Sequence, residues 1–134
     1  MSDILLYNLQ AGIATLTLTR PARYNAFNND LSFQFIDALK KIRRDPEARV
    51  VVLTGSGKAF CSGQDLKDVQ GKKRSLGESV EKRYNPMIRL ISNTEKPFIC
   101  RMNGVAAGAG ASIALACDYV VAAETAKMVW AFAN

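Results

Sequence analysis

The hydrophobic residues near the N-terminus follow first a two-residue period and then a helical one. Two β-rich runs, Ile4–Gln10 and Ile13–Thr19, are separated by an alanine–glycine pair, which predicts a β-hairpin. A helix should follow, capped by Asn29 or Asp30 and ended by Asp45-Pro46. Its apolar positions recur at helical spacing and predict the buried face, namely Leu31, Phe35, Ala38, Leu39 and Ile42.

Further along the chain, short apolar strands alternate with helical stretches. Arg49–Thr54 is a continuous apolar run, typical of a strand buried on both faces of a parallel sheet, and Gly55–Ser62 should be a loop. Helices are expected to begin at Gly63-Gln64-Asp65 and to cover Leu76–Asn93, with a kink at Pro86. The remaining predicted elements are a strand Phe98–Met102, a small-residue stretch Gly104–Ala111, a helix to about Cys117, and strands Tyr119–Ala123 and Lys127–Trp130. This alternation predicts an α/β fold built from βαβ units.

The composition is that of one globular domain with a core. The chain has 134 residues, of which 49% are hydrophobic and 22% charged. Its three cysteines, Cys61, Cys100 and Cys117, form no CxxC pair, so they predict free thiols in a reducing compartment rather than disulfides or a zinc site. The N-terminal residues show no signal peptide, and we therefore expect a cytoplasmic protein.

The chain contains no histidine. This excludes any Ser-His-Asp or Cys-His mechanism built from this chain alone and argues against a transition-metal site. The net charge is +6, with 18 Lys and Arg spread along the sequence. The densest cluster comprises Lys67, Lys72, Lys73 and Arg74. A solvated basic loop explains this cluster best, attraction for a phosphorylated ligand comes second, and nucleic-acid binding is a distant third.

Three segments carry the candidate chemistry. They are Arg20-Pro21-x-x-x-Asn25-Ala26, Lys58–Leu66 (KAFCSGQDL) and Asn103–Ala111 (NGVAAGAGA). In each of the last two, a strand is predicted to run into a tight small-residue turn and then a helix, which leaves a main-chain N–H free at the positive end of the helix dipole. Two such groups facing one point would form an oxyanion hole for the charge that develops on a thioester oxygen. Taken singly, each segment is equally typical of an ordinary strand end or turn.

Together, in this order and spacing, the three segments resemble the hallmark of the crotonase (enoyl-CoA hydratase/isomerase) superfamily. The resemblance implies a crotonase-like (ClpP/crotonase) ββα spiral, here truncated before its C-terminal helices. It implies an acyl-CoA substrate and neither a metal nor a redox cofactor, and it assigns the two oxyanion N–H groups to Ser62 and Ala109. The substrate-binding positions that it implies are Ser62, Gly63, Gln64, Asp65 and Leu66 along the thioester and pantetheine, Arg23 and Ala26 near the CoA nucleotide, and also Gly108 and Ser112. Full-length members form trimers or pairs of trimers, so a homotrimer or hexamer is expected, with no nucleic-acid or membrane partner.

Two positions depart from the hydratases of this family. Hydratases that resemble this chain have one glutamate three residues after the second oxyanion N–H and another after an Ala-Lys dipeptide, where this chain has Ser112 and Phe132. A serine cannot replace a carboxylate that must accept a proton near neutral pH. The resemblance therefore implies an isomerase whose proton-transferring carboxylate lies beyond Asn134. The alternatives are an enoyl-CoA hydratase and a structural fragment that is inactive alone. Glu78–Pro86 and Trp130-Ala131-Phe132 also resemble the isomerase branch of bacterial phenylacetate degradation.

Other interpretations of the small-residue segments are weaker. Gly104–Ala123 has the length of a membrane span and a GxxxG match. However, Asp118 would cost about 2.5–3.5 kcal/mol near a membrane centre, and alanine and glycine give little in return. A dinucleotide site fails because Ile113 stands where GxGxxG needs its third glycine. A serine hydrolase fails because neither Ser62 nor Ser112 has a histidine or another obvious base.

Overall fold

Two β-sheets and three helices make up the described part of the protein. The structure is a computed structural model that describes residues 4–64 and 85–129. The strands are β1 (Leu5–Gln10), β2 (Ile13–Leu18), β3 (Val50–Gly55), β4 (Ala59–Cys61), β5 (Phe98–Met102), β6 (Val105–Ala107), β7 (Tyr119–Ala122) and β8 (Met128–Val129). The helices are α1 (Asn29–Arg44), α2 (Asn85–Asn93) and α3 (Ala109–Ala116), with a 3₁₀ turn at Pro21–Arg23. The α/β architecture is the one that the sequence predicts.

The larger sheet has the strand order β1-β2-β3-β5-β7 and the smaller one β4-β6-β8. Among the described strands, only the β1–β2 pair is antiparallel, and it forms the predicted hairpin. Its turn residues Ala11 and Gly12 have φ angles of 52° and 82°, as a tight hairpin turn requires. All other pairs are parallel. In parallel pairs every strand leaves the sheet at the same end, so the turns after β4 and β6 lie together.

The core lies between the larger sheet and the helices. Asn28, not Asn29 or Asp30, caps α1, because its side chain accepts a hydrogen bond from the Leu31 N–H at 2.9 Å. The buried face of α1 contains Leu31, Phe35, Leu39 and Ile42, four of the five residues predicted for it, while Ala38 is only partly buried. The fully buried ring of Phe27 meets Phe35 edge-on, with 5.5 Å between the ring centroids. This contact packs the loop before α1 against the helix.

Several predicted elements differ from the structure. The predicted loop Gly55–Ser62 contains strand β4, and the small-residue stretch contains strand β6. The sequence does not predict either strand, because three residues are too few to show a hydrophobic period. Gly63 and Gln64 do not begin a helix, since Gln64 forms a β-bridge with Phe27. β3 is not buried on both faces: Val50 and Val52 are half-buried.

Other predictions are confirmed in part or lie outside the described residues. Helix α2 agrees with the second half of the predicted helix and includes Pro86. Residues 76–84, which would have to be helical for Pro86 to kink the predicted helix, lie outside the described ranges. The predicted last strand is seen as β8, and Trp130 also lies outside. The stretch Gly104–Ala123 is divided among β6, α3 and β7. Within residues 4–64 and 85–129, no helix is long and apolar enough to cross a membrane.

Candidate functional site

Two strand-to-turn segments lie side by side in the smaller sheet. Strands β4 and β6 pair in parallel, with Cys61 opposite Ala106. The turn after β4 contacts the turn after β6: a Cβ atom built on Gly63 would lie 3.0 Å from the Ala107 carbonyl oxygen and 3.5 Å from the Ala109 nitrogen. The structure therefore brings the second and third sequence segments to one place.

Glycine conformations make both turns possible. Gly63 has a φ angle of +101°, and Gly108 has φ +54° with ψ −121°. L-amino acids with a side chain rarely adopt such backbone angles, so glycine is required where each strand ends. At Gly110 a Cβ atom would overlap the Cys61 carbonyl group, which shows how closely α3 approaches the end of β4.

The Ser62 N–H, which the sequence predicts as the first oxyanion donor, already has an acceptor within the protein. The Ser62 N–H donates a hydrogen bond to the Tyr24 carbonyl oxygen at 3.0 Å, so it is not free, and its assignment as a donor is wrong. The next N–H, that of Gly63, points at the Cys61 sulfur. The N–H of Gln64 comes next and has no acceptor in the described part of the chain. Gln64 therefore replaces Ser62 as the candidate first donor.

The second candidate donor, Ala109, agrees with the geometry of its turn. Ala109 is the first residue of α3, where a helix leaves its N–H groups without intrahelical partners. The preceding N–H, that of Gly108, donates to the Val129 carbonyl oxygen at 3.0 Å, and the Ser112 N–H donates to the Gly108 carbonyl oxygen at 3.1 Å. No described residue accepts a hydrogen bond from the Ala109 N–H. Its role as a donor to a ligand remains a prediction.

The other predicted site residues differ in their exposure to solvent. Arg23 is exposed and its carbonyl oxygen accepts a hydrogen bond from the Ser62 hydroxyl at 3.3 Å. Ala26 is only 6% exposed, and its carbonyl oxygen accepts a hydrogen bond from the Arg20 guanidinium, so its side chain is not on the surface. Ser112 is exposed and lies one turn along α3 from Ala109. Asp65, Leu66 and Phe132 lie outside the described residues.

The cysteines near the site are buried free thiols, as the sequence predicts. Burial raises the pKa of Cys61 to about 12, although the Gly63 N–H acts in the opposite direction. A hydrogen bond with the Cys100 thiol, together with burial, also raises the pKa of Cys117. Because the thiolate is the nucleophile, these groups are unsuited to covalent catalysis near neutral pH. Among the residues that the structure describes, no three His, Cys, Asp or Glu side chains are grouped to hold a metal ion.

Sequence reasoning gave no role to two asparagines that surround the start of β4. Asn25 and Asn103 both donate to the Ala59 carbonyl oxygen, at 2.8 and 3.0 Å. Asn25 belongs to the first of the three sequence segments and Asn103 to the third. An asparagine just after a predicted strand could have indicated a structural role for each residue. The hydrogen-bond acceptors of these side chains could not be predicted, because they lie far away in the sequence.

Comparisons with known proteins identify the family. The family model for enoyl-CoA hydratase/isomerase matches residues 8–134. The chain is 47% identical over 138 residues to the 1,2-epoxyphenylacetyl-CoA isomerase of Escherichia coli K12, covering 100% of this chain and 53% of that protein. It is 36% identical over 127 residues to the 2,3-dehydroadipyl-CoA hydratase of the same organism, covering 95% and 49%.

Solved structures show the same fold. The crystal structure of an enoyl-CoA hydratase from Mycobacterium smegmatis superposes with a TM-score of 0.88 at 33% identity, covering 95% of this chain and 50% of that one. The chain spans about half the length of the curated relatives it matches. The family match over almost the entire sequence, together with the superposition, shows that this chain has the crotonase fold and belongs to the enoyl-CoA hydratase/isomerase family.

Proposed function

We propose that the full-length protein containing this chain is an acyl-CoA thioester isomerase that stabilises an enolate with the main-chain N–H groups of Gln64 and Ala109. One observation carries the proposal: these two N–H groups lie on adjoining turns, and neither has an acceptor in the described residues. Donors that are fixed before the reaction and aimed at a developing negative charge are the largest single source of catalysis in many acyl-transfer and enolising enzymes.

The reaction that fits this site moves a double bond. A base removes a proton from the α-carbon of a β,γ-unsaturated acyl thioester, and the electron pair passes to the thioester oxygen, which the two N–H groups hold. When the enolate collapses, the γ-carbon takes up a proton and the double bond ends between the α- and β-carbons. The atoms balance without a cofactor. We propose that the carboxylate moving the proton lies beyond Asn134, as the family resemblance implies.

The surroundings of Ala109 favour isomerisation over hydration. Ser112 stands one turn into α3, with its hydroxyl 3.5 Å from the Gly108 carbonyl oxygen. A serine hydroxyl cannot act there as the carboxylate base that two-carboxylate water addition needs. The 47% identity to an epoxyphenylacetyl-CoA isomerase supports an aromatic-pathway CoA thioester as the substrate. An enoyl-CoA hydratase is the second candidate, which the 36% identity to a hydratase supports.

One assay distinguishes the proposed isomerase from an enoyl-CoA hydratase. The purified full-length protein is given 3-hexenoyl-CoA, and formation of the conjugated 2-enoyl thioester is followed by ultraviolet absorbance. The same protein is given crotonyl-CoA, and loss of that absorbance reports hydration. We expect isomerisation with little or no hydration, and rapid hydration of crotonyl-CoA would overturn the assignment. Residues 1–134 alone, in the same assay, test the prediction that this chain is inactive by itself. Light scattering tests the predicted homotrimer or hexamer.

A further inference from the structure

A buried asparagine ties the first sequence segment to the turn that precedes β4. The Asn25 side chain is 0% exposed, and its φ angle is +59°. Its side-chain oxygen accepts a hydrogen bond from the Arg20 N–H at 2.7 Å. Its side-chain nitrogen donates to the carbonyl oxygens of Ser56 at 2.9 Å and Ala59 at 2.8 Å. One acceptor and two donors are therefore all used, which is how a buried amide avoids a desolvation penalty.

A second asparagine reaches the same turn from the opposite direction. The side-chain oxygen of Asn103 accepts a hydrogen bond from the Gly55 N–H at 3.1 Å. Its side-chain nitrogen donates to the carbonyl oxygens of Gly57 at 3.1 Å and Ala59 at 3.0 Å. Asn103 lies between β5 and β6, and hence on the segment that leads to Ala109.

The two amides meet at the carbonyl oxygen of Ala59, the first residue of β4. Gln64 follows Ala59 by five positions, and the loop around Asn25 also holds the Gln64 end of this segment. The Ser62 N–H donates to the Tyr24 carbonyl oxygen at 3.0 Å, and the Phe27 N–H donates to the Gly63 carbonyl oxygen at 2.7 Å. The loop 24–27 therefore holds both ends of the segment, and Asn103 connects its start to the strand that precedes the second donor.

We propose that Asn25 and Asn103 are positioning residues that together set the distance between the two oxyanion donors. The pair is called here the asparagine clamp. This inference rests on the proposed function, because it assumes that the Gln64 and Ala109 N–H groups act on one oxygen atom. The clamp fixes the start of β4 relative to β6, and the pairing of these two strands then fixes where Gln64 lies beside Ala109.

Asparagine is the residue type that this arrangement requires. Aspartate has the same shape but cannot donate when ionised, and it would face two carbonyl oxygens. Alanine removes all three hydrogen bonds. Asn103 is half-buried, whereas Asn25 is fully buried. We therefore expect Asn103→Ala to fold, while Asn25→Ala leaves buried polar groups unpaired and is the less informative variant.

The test measures the donors directly in the full-length protein. Phenylacetyl-CoA labelled with carbon-13 at the thioester carbonyl is bound, and its carbonyl stretching frequency is read by difference infrared spectroscopy. Two aligned N–H donors polarise the carbonyl bond and lower this frequency. The kcat and KM for 3-hexenoyl-CoA are measured on the same samples, and circular dichroism confirms the fold. Asn28→Ala is the matched control, because it removes an asparagine side chain that caps α1 and has no hydrogen bond to the β4 turn among the described residues.

We expect Asn103→Ala to lose part of the frequency shift and to lower kcat by about 10- to 100-fold with KM nearly unchanged, since a misplacement of about 1 Å can cost about 10²-fold. The control should keep the wild-type shift and kcat. A folded Asn103→Ala protein with the wild-type shift and rate overturns the clamp. Equal losses in the control also overturn it, because general destabilisation then explains both. If the wild-type protein itself shows no shift, the proposed function is wrong.

Discussion

Replacing Ala109 with proline removes one hydrogen-bond donor at a position where the backbone can accept proline. Ala109 is the first residue of α3, the helical position where proline is best tolerated. Gly108, the residue before it, has a ψ angle of −121°, the mirror image of the extended angle that residues before proline favour and one that glycine adopts easily. The Ser112 N–H, which starts the helix by donating to the Gly108 carbonyl oxygen, is unaffected. Ala109→Pro should therefore fold.

The expected effect on catalysis is much larger than the effect on stability. The Ala109 N–H donates to no described residue, so its loss breaks no internal hydrogen bond there. We expect a change of less than about 1 kcal/mol in the free energy of unfolding. Removing one oxyanion donor lowers kcat by about 10²–10³-fold, or about 2.7–4 kcal/mol in the activation free energy. The proline ring also occupies the space in front of the former N–H, so KM for the thioester should rise.

The assay is the isomerisation of 3-hexenoyl-CoA by the full-length protein, with urea denaturation to measure stability. Asn29→Pro is the control for introducing proline at the first residue of a helix, since it follows a residue in the extended conformation. Asn29 has an interaction of its own, so the free energy of unfolding of this variant is measured alongside its kcat. Asn29→Pro should leave kcat close to the wild-type value. A stably folded Ala109→Pro protein that isomerises at the wild-type rate would refute the reasoning, since no main-chain donor at this position would then be needed.

Three further substitutions test the surroundings of the site. Gly110→Ala should lower the free energy of unfolding by about 1–3 kcal/mol, because its Cβ atom would lie 2.9 Å from the Cys61 carbonyl carbon, and an unchanged urea midpoint would contradict this close approach. Ser62→Ala should change stability by less than about 0.5 kcal/mol and leave kcat unaltered, because the hydroxyl only reaches the Arg23 carbonyl oxygen at 3.3 Å at the surface; a large loss of kcat would make the hydroxyl catalytic. Burial raises the Cys61 pKa from 9.0 to about 12, so the unfolded chain loses the thiol proton at a lower pH than the folded chain does. The contribution of Cys61 to the free energy of unfolding is therefore complete below pH 9.0. It should decrease by about 1.4 kcal/mol per pH unit above that, and Cys61→Ala, compared with wild type in urea melts at several pH values, should show a shallower decrease.

The sequence predicted the long elements well because their hydrophobic periods are unambiguous. The hairpin, α1 and the strands β3, β5 and β7 all lie within one or two residues of their expected bounds. Strands β4 and β6 were missed, since three residues show no period and their pairing joins Ala59 with Val105, far apart in the sequence. A strand this short forms only because a partner already lies beside it, which local patterns do not reveal.

The two turns that the sequence predicts to face each other do lie side by side, but the Ser62 N–H, predicted as one donor, is occupied within the fold. Small residues and glycines in the sequence indicate where the backbone turns sharply. They do not indicate which N–H remains free, because that depends on acceptors elsewhere in the fold. The Ser62 N–H is occupied by the carbonyl oxygen of Tyr24, which belongs to a different segment. Only the three-dimensional arrangement of the loop after β2 could show this.

The two candidate donors are held by different physical means, and this makes their responses separable. Ala109 begins an eight-residue helix, so the helix geometry and its dipole fix and strengthen that N–H. Gln64 follows a three-residue strand and depends on hydrogen bonds from the loop before α1, through the Tyr24 carbonyl oxygen and the Phe27 N–H. Substitutions in that loop should therefore displace the first donor and leave the second in place. The first sequence segment thus acts mainly as a support for the turn after β4, which explains why the Ala26 side chain is buried rather than available to a ligand.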